Sequence, residues 1–293
     1  MAAANSETIN RERRYGMSDE ALATAPTVYR DGLLDGKVAL ISGGGSGMGR
    51  AMAFLMSRLG AKVMICGRRE HKLADAAESI QRLLGAEVGY QAMTIREPDD
   101  VEQLIDKTWA QFGQLDILVN NGGGQFPQSA IDFSDKGWRA VIDTNLNGTW
   151  YMMQRAARRW QAESHAGSIV NIVANISRGM PQVAHTCAAR AGVIYLSKTV
   201  STEWAPLNIR VNCVSPGTIE TEGFNVYDPE YAEMFKDASP MRSVGDAYDI
   251  AEAVVYLSAA SGKYITGEVL TVDGGNQQWG DVWPAGKPDY FKT

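Results

Sequence analysis

The chain has 293 residues, 45% of them hydrophobic and 21% charged, and a formal net charge of −6. That length is enough for one large core burying roughly 75% of the unfolded chain's surface, while the acidic balance excludes the general basic field that holds proteins on nucleic acid or anionic membrane. Three scattered cysteines (Cys66, Cys187, Cys213) and three scattered histidines (His71, His165, His185) exclude a disulfide scaffold and a thiolate zinc site, so no metal is expected and a reducing compartment fits.

Residues 1–30 read as a polar arm in which four arginines mix with four acids, without a signal-peptide core, and no apolar run approaches the length of a membrane span. From residue 31 short apolar runs alternate with longer stretches of helical period. The spacing predicts strands at 37–42, 62–66, 87–93, 115–119, 168–173, 209–214 and 268–272, and helices at 47–59, 70–84, 98–112, 134–161, 182–205, 229–236 and 246–258. Such alternation predicts a single α/β domain over 31–276, a doubly wound Rossmann-type fold whose seven-stranded parallel sheet carries helices on both faces, followed by a tail over 277–293. The stretch 218–245 is long and holds Phe224, Tyr227, Tyr231, Met234 and Phe235, which reads as a lid over an apolar ligand.

The first strand runs into Ser42-Gly43-Gly44-Gly45-Ser46-Gly47-Met48-Gly49, and a helix opens there. Glycines at that place let the backbone turn sharply and approach a pyrophosphate, whose charge meets the free N–H groups of the helix start. The spacing is GxxxGxG, not the common GxGxxG. At the end of the second strand stand Arg68 and Arg69 where an acid would bond the ribose hydroxyls of NAD. Adjacent guanidinium forks suit a 2′-phosphate and favour NADP(H); the alternative is a solvated pair flanking Glu70. A second glycine turn, Asn120-Asn121-Gly122-Gly123-Gly124, follows the fourth strand at the sheet edge where such folds bind ligands, and it adds Asn121, Gly122 and Gly123 to Gly43 in the candidate cofactor site.

These two loops, with Asp143-Thr144-Asn145-Leu146-Asn147-Gly148-Thr149, Ser215-Pro216-Gly217 and Val272-Asp273-Gly274-Gly275, resemble the short-chain dehydrogenase/reductase family over about 35–275. The resemblance implies that Ser46, Gly47 and Met48 line the pyrophosphate, Thr94 and Ile95 the adenine, and Asn121 and Gly122 the nicotinamide side. It gives the carboxamide to Pro216, Gly217 and Ile219. Position 94 departs from the family's usual acid. The family also works with a serine, a tyrosine and a lysine four residues after the tyrosine. Here the tyrosine position holds Thr186, the lysine position Arg190, and the serine position falls at Val173 or Ala174, so none of the three is present. Tyr195 and Lys198 are three apart and lie beyond that position, where Tyr195 is expected to pack in an interface.

A ketone needs a proton delivered to oxygen by a tuned acid, which a threonine hydroxyl cannot do. A double bond conjugated to a thioester needs hydride at the β carbon, donors for the enolate oxygen and later protonation of the α carbon. Arg190 keeps a positive charge beside the nicotinamide ribose but cannot act as an acid. The run Ala184-His185-Thr186-Cys187-Ala188-Ala189-Arg190-Ala191-Gly192-Val193 is similar to the peroxisomal trans-2-enoyl-CoA reductases and, less closely, to the 2,4-dienoyl-CoA reductases, a likeness extended by 32–36 and Trp283-Pro284. The resemblance implies an NADPH-dependent enoyl-thioester reductase of the kind used in fatty acid metabolism, acting on a small-molecule acyl thioester and assembling as a homotetramer. Asn145 would bind a water or a backbone carbonyl on the proton route. His185 would either serve the thioester oxygen or proton transfer, or satisfy backbone groups at the helix start. Trp279 and Trp283 are expected against a neighbouring subunit. The last residues, Phe291-Lys292-Thr293, carry no peroxisomal address, so a cytoplasmic location is expected. Two other functions remain open: a carbonyl reductase with a substitute acid such as Tyr227, and an NADP-binding subunit without turnover.

Overall fold

A computed structural model describes residues 15–227 and 229–279. Seven strands make one parallel sheet in the order β3-β2-β1-β4-β5-β6-β9: β1 (Val38–Ser42), β2 (Lys62–Gly67), β3 (Val88–Ala92), β4 (Ile117–Asn120), β5 (Gly167–Ile172), β6 (Ile209–Pro216) and β9 (Val269–Val272). The central strands β1, β4 and β5 are buried at every position, as expected of short apolar runs covered on both faces. One face packs against α2 (Gly47–Arg58), α3 (Glu70–Leu84) and α9 (Ala247–Ser258) through Phe54, Leu55, Ile80 and Val254. The other packs against α4 (Pro98–Phe112), α6 (Gly148–Ala162) and α7 (Ala184–Trp204) through Leu104, Met152, Trp160 and Val200. Chain order reverses between β1 and β4, which opens a crevice at the carboxyl edge of the sheet.

The architecture agrees with the sequence pattern, and the differences are local. The predicted helix 134–161 is α5 (Asp135–Ile142) and α6 joined by one π-turn, Asp143–Asn147. The wider turn accommodates Asn145, whose amide leaves the helix to bond Gly124. Inside the polar arm a short helix, α1 (Asp19–Thr24), docks on α2, held by Asp19 against the buried Arg50 at 2.9 and 2.5 Å. Within the predicted lid, two-residue strands β7 (Ile219–Glu220) and β8 (Gly245–Asp246) pair in parallel, and α8 (Pro229–Met234) lies between them in the chain. Phe224, Phe235 and Ala232 form a small core of their own with Tyr15, Tyr227 and Val244. Cys66 and Cys213 are buried and Cys187 is half-buried, all as free thiols. Among the described residues no helix is long and apolar enough to cross a membrane, and no cluster of metal-ligating side chains occurs. Trp283 and Pro284 lie outside the described residues.

Candidate active site

Two adjoining cavities of about 280 and 290 Å³ occupy the crevice and share Met48 in their walls. The first follows the carboxyl ends of β1, β2 and β4. It gathers Gly43, Ser46, Gly47, Arg68, Arg69, Thr94, Ile95, Asn121, Gly122 and Gly123. The second gathers Pro216, Gly217 and Ile219 from β6 and the strap after it, together with Asn145, Thr186 and Arg190. Residues spread over more than 170 positions of sequence thus meet along one groove: most follow the carboxyl end of a strand, and Asn145, Thr186 and Arg190 are brought to it by the π-turn and α7.

The first cavity is walled by the two glycine turns. A Cβ on Gly49 would drive into the carbonyl oxygen of Gly43, so the loop closes on itself without room for a side chain. Ser42 Oγ accepts from the N–H groups of Asn121 (3.1 Å) and Gly122 (2.8 Å), and Asn121 Nδ2 donates back to the Ser42 carbonyl at 3.0 Å. The two glycine turns are therefore fixed to each other. Three cations stand in the wall where the second strand ends: Arg68, Arg69 and Lys72, the last one turn into α3. Sequence reasoning missed Lys72, although its spacing of four from Arg68 at a helix start was the available signal. It also missed Thr221 and Arg96, which line the same cavity. Arg96 is held by Thr144 Oγ1 (2.5 Å) and the Ala140 carbonyl (2.8 Å) on the helix opposite.

The second cavity is built around α7. Arg190 is 8% exposed and donates to the Ile172 carbonyl at 2.9 Å. Burial pushes its guanidinium down to about 10, opposed by the nearby Cys213 thiol, so the group remains a buried cation at neutral pH. Thr186 is 2% exposed, and its Oγ1 has no hydrogen-bond partner among the described residues. A buried hydroxyl without a partner costs about 1–3 kcal/mol, which a ligand acceptor in the cavity would relieve. Asn145 accepts from the Gly124 N–H and donates to the Gly124 carbonyl, each at 3.0 Å. Val173 and Ala174, at the family's serine position, present no polar side chain to the cavity. Asn175 beside them does, but its Nδ2 already donates to Asp273 (3.1 Å) and Asn276 (2.7 Å), and its Oδ1 accepts from Ser177 (3.2 Å). Neither Asn175 nor Asn276 was anticipated from the sequence.

His185 takes a different position from its neighbours. It lines neither cavity; its ring stacks on Phe133 at 4.5 Å and meets Phe126 edge-on at 4.7 Å. Nδ1 accepts from the Thr186 N–H at 2.8 Å, a backbone group at the start of α7. Burial lowers its pKa, with the carbonyls of Val183 and Phe126 acting the other way. Tyr227 packs edge-on against Phe224 and Phe235 in the small separate core of the 218–245 segment and lines neither cavity. Tyr195 is 71% exposed under Lys198 Nζ, 5.3 Å from its ring centroid.

A glycine turn at the switch point of a doubly wound sheet, opening into a second cavity with a buried cation, defines an oxidoreductase built for a nicotinamide dinucleotide. The family model described as enoyl-(acyl carrier protein) reductase matches residues 43–277. The chain is 35% identical over 256 residues to a probable 2,4-dienoyl-CoA reductase, (2E)-enoyl-CoA-producing, of Bacillus subtilis, covering 86% of this chain and all of the relative. It is 36% identical over 259 residues to a peroxisomal 2,4-dienoyl-CoA reductase of Arabidopsis thaliana, covering 84% and 86% of the two chains. A citronellol catabolism dehydrogenase of Pseudomonas aeruginosa superposes with a TM-score of 0.77 at 32% identity, over 86% of this chain and 99% of that one. The chain belongs to the short-chain dehydrogenase/reductase family of oxidoreductases.

Proposed function

We propose that the protein reduces the 2,3 double bond of an enoyl thioester, or the corresponding conjugated system of a dienoyl thioester, at the expense of NADPH. The observation that carries the reading is Thr186: a buried hydroxyl without a partner stands where carbonyl reduction would need a phenol, beside the buried cation of Arg190. When bound, the nicotinamide supplies a hydride. The α carbon of the resulting enolate then takes its proton from solvent water, and the residues of this chain orient and polarise the substrate. The Thr186 hydroxyl can donate to a thioester oxygen as negative charge gathers there, and Arg190 adds positive potential in a water-poor site. Asn145 holds the Gly124 turn, which keeps the cavity wall in position for the acyl group. The names of the bacterial and plant relatives support this substrate class. A 3-oxoacyl-[acyl-carrier-protein] reductase of Chlamydia muridarum, 35% identical over 244 residues, keeps a ketone in the test. Following NADPH absorbance with a 2-enoyl-CoA, a 2,4-dienoyl-CoA, a 3-oxoacyl thioester and no substrate is expected to give turnover with the first two alone. Oxidation only with the ketone, or with none, would overturn the reading.

For the cofactor, the triad Arg68, Arg69 and Lys72 supports NADPH over NADH. Arg68→Ala is expected to weaken NADPH binding by about 1.5–3 kcal/mol, and Lys72→Ala by a similar amount, each typical of a charge-assisted hydrogen bond. Neither should alter NADH binding, and equal titration curves for the two nucleotides in the unaltered protein would contradict the assignment.

A further inference from the structure

The first turn of α2 leaves backbone N–H groups without intrahelical partners, and the aligned peptide dipoles make that end partly positive. Here the N–H of Gly47 donates to both carboxylate oxygens of Glu222, at 3.1 Å each. Gly47 and Thr221 line both the nucleotide cavity and the small cleft that holds Glu222, so an acidic side chain from the strap after β7 reaches the glycine loop from beside that cavity. The strap is braced from behind. The Gly16 N–H donates to Glu220 at 3.2 Å, and a Cβ on Gly16 would fall 2.9 Å from the backbone nitrogen of Glu222.

We propose that Glu222 is a built-in competitor of the cofactor's pyrophosphate, and that it sets how weakly the nucleotide is held. Its carboxylate caps α2 in the free protein. A pyrophosphate arriving at the same helix end either takes that N–H from Glu222 or binds beside the carboxylate against like-charge repulsion. Both routes weaken binding and speed release of the spent cofactor. The proposal rests on the nicotinamide-dinucleotide reading of the first cavity and on neither the substrate nor the choice between NADPH and NADH.

The test is Glu222→Gln, an isostere whose amide oxygen still accepts from Gly47 but carries no charge. By calorimetry or nicotinamide fluorescence, the Kd of the variant for both NADPH and NADH should fall about fivefold or more, the size of one charge interaction at a helix terminus. Its Kd for adenosine 2′-monophosphate, which lacks the pyrophosphate, should stay within about twofold of the unaltered protein. An unchanged or higher Kd for the dinucleotides, or an equal gain for adenosine 2′-monophosphate, overturns the proposal alone. If the unaltered protein binds neither dinucleotide, the cofactor reading falls and the proposal falls with it.

Discussion

Thr186 and His185 are consecutive in sequence and opposite in circumstance. The threonine hydroxyl opens on the cavity without a partner, whereas the imidazole is enclosed by Phe126 and Phe133. Thr186→Val keeps the shape and removes the donor. Enoyl reduction should then lose about 10²-fold in kcat, as loss of one oxyanion donor does, with NADPH affinity unchanged. A rate held within about twofold would deny the hydroxyl a part in the transition state. For His185 the measurable quantity is stability. Burial lowers its pKa from the ordinary 6.5, so as pH falls the unfolded chain takes up a proton there before the folded one does. Stability is therefore full above about 6.5 and declines as the pH falls below it. His185→Phe preserves the aromatic packing and should flatten that acid limb in urea titrations; an unchanged limb would place its origin elsewhere. The sequence made Thr186 legible by its spacing from Arg190. It could not say which way His185 turns, since that depends on two phenylalanines more than 50 positions earlier. Lys72 escaped notice for a related reason: its place in the wall follows from how α3 starts, not from the end of the strand.

The elements that were legible are those whose burial repeats along the chain. The central strands are short, mainly apolar runs covered on both sides. The elements that were not legible depend on distant partners. Six residues of α1 are too few to persist as a helix alone, and they are held by an ion pair to Arg50, 31 positions away. The β7–β8 pair has two residues on each side, too short for any period. The π-turn at Asp143–Asn147 departs from a helical pattern that is otherwise continuous, and only its contacts explain it: Asn145 reaches across to both backbone groups of Gly124. Asn145→Ala should remove this clasp and destabilise the protein by about 1–3 kcal/mol, the net worth of two hydrogen bonds. Relaxation of the Gly124 turn should raise KM for the acyl substrate more than for NADPH. Should both Michaelis constants stay put with unchanged stability, the π-turn has no part in shaping the cavity.

At the scale of the whole molecule, α7 buries polar His185, Thr186, Arg190, Ser197 and Ser201 together with Ala189, Val193 and Val200, while Ala188 and Tyr195 are exposed beside Lys198 and Thr199. Nearby, Trp150 of α6 stacks on Trp204 at 6.3 Å. Small residues flanked by aromatics on adjacent helices suit close packing with a second copy, and a homotetramer is expected. Light scattering at micromolar concentration should give the mass of four chains, and Tyr195→Glu should lower it; a monomer in the unaltered protein would refute the assembly. The thiols add a property of a different kind. Burial pushes Cys66 up to about 12 and Cys213 up to about 11, and it also raises the half-buried Cys187. Alkylating reagents attack the thiolate, so at neutral pH they meet one slow target in the folded chain and two that are out of reach. The two silent cysteines sit on β2 and β6, on either side of the central strands, and each becomes reactive only when its own part of the sheet opens. Their modification rates, followed separately by mass spectrometry, thus record how often the two halves of the sheet come apart, without any label being introduced.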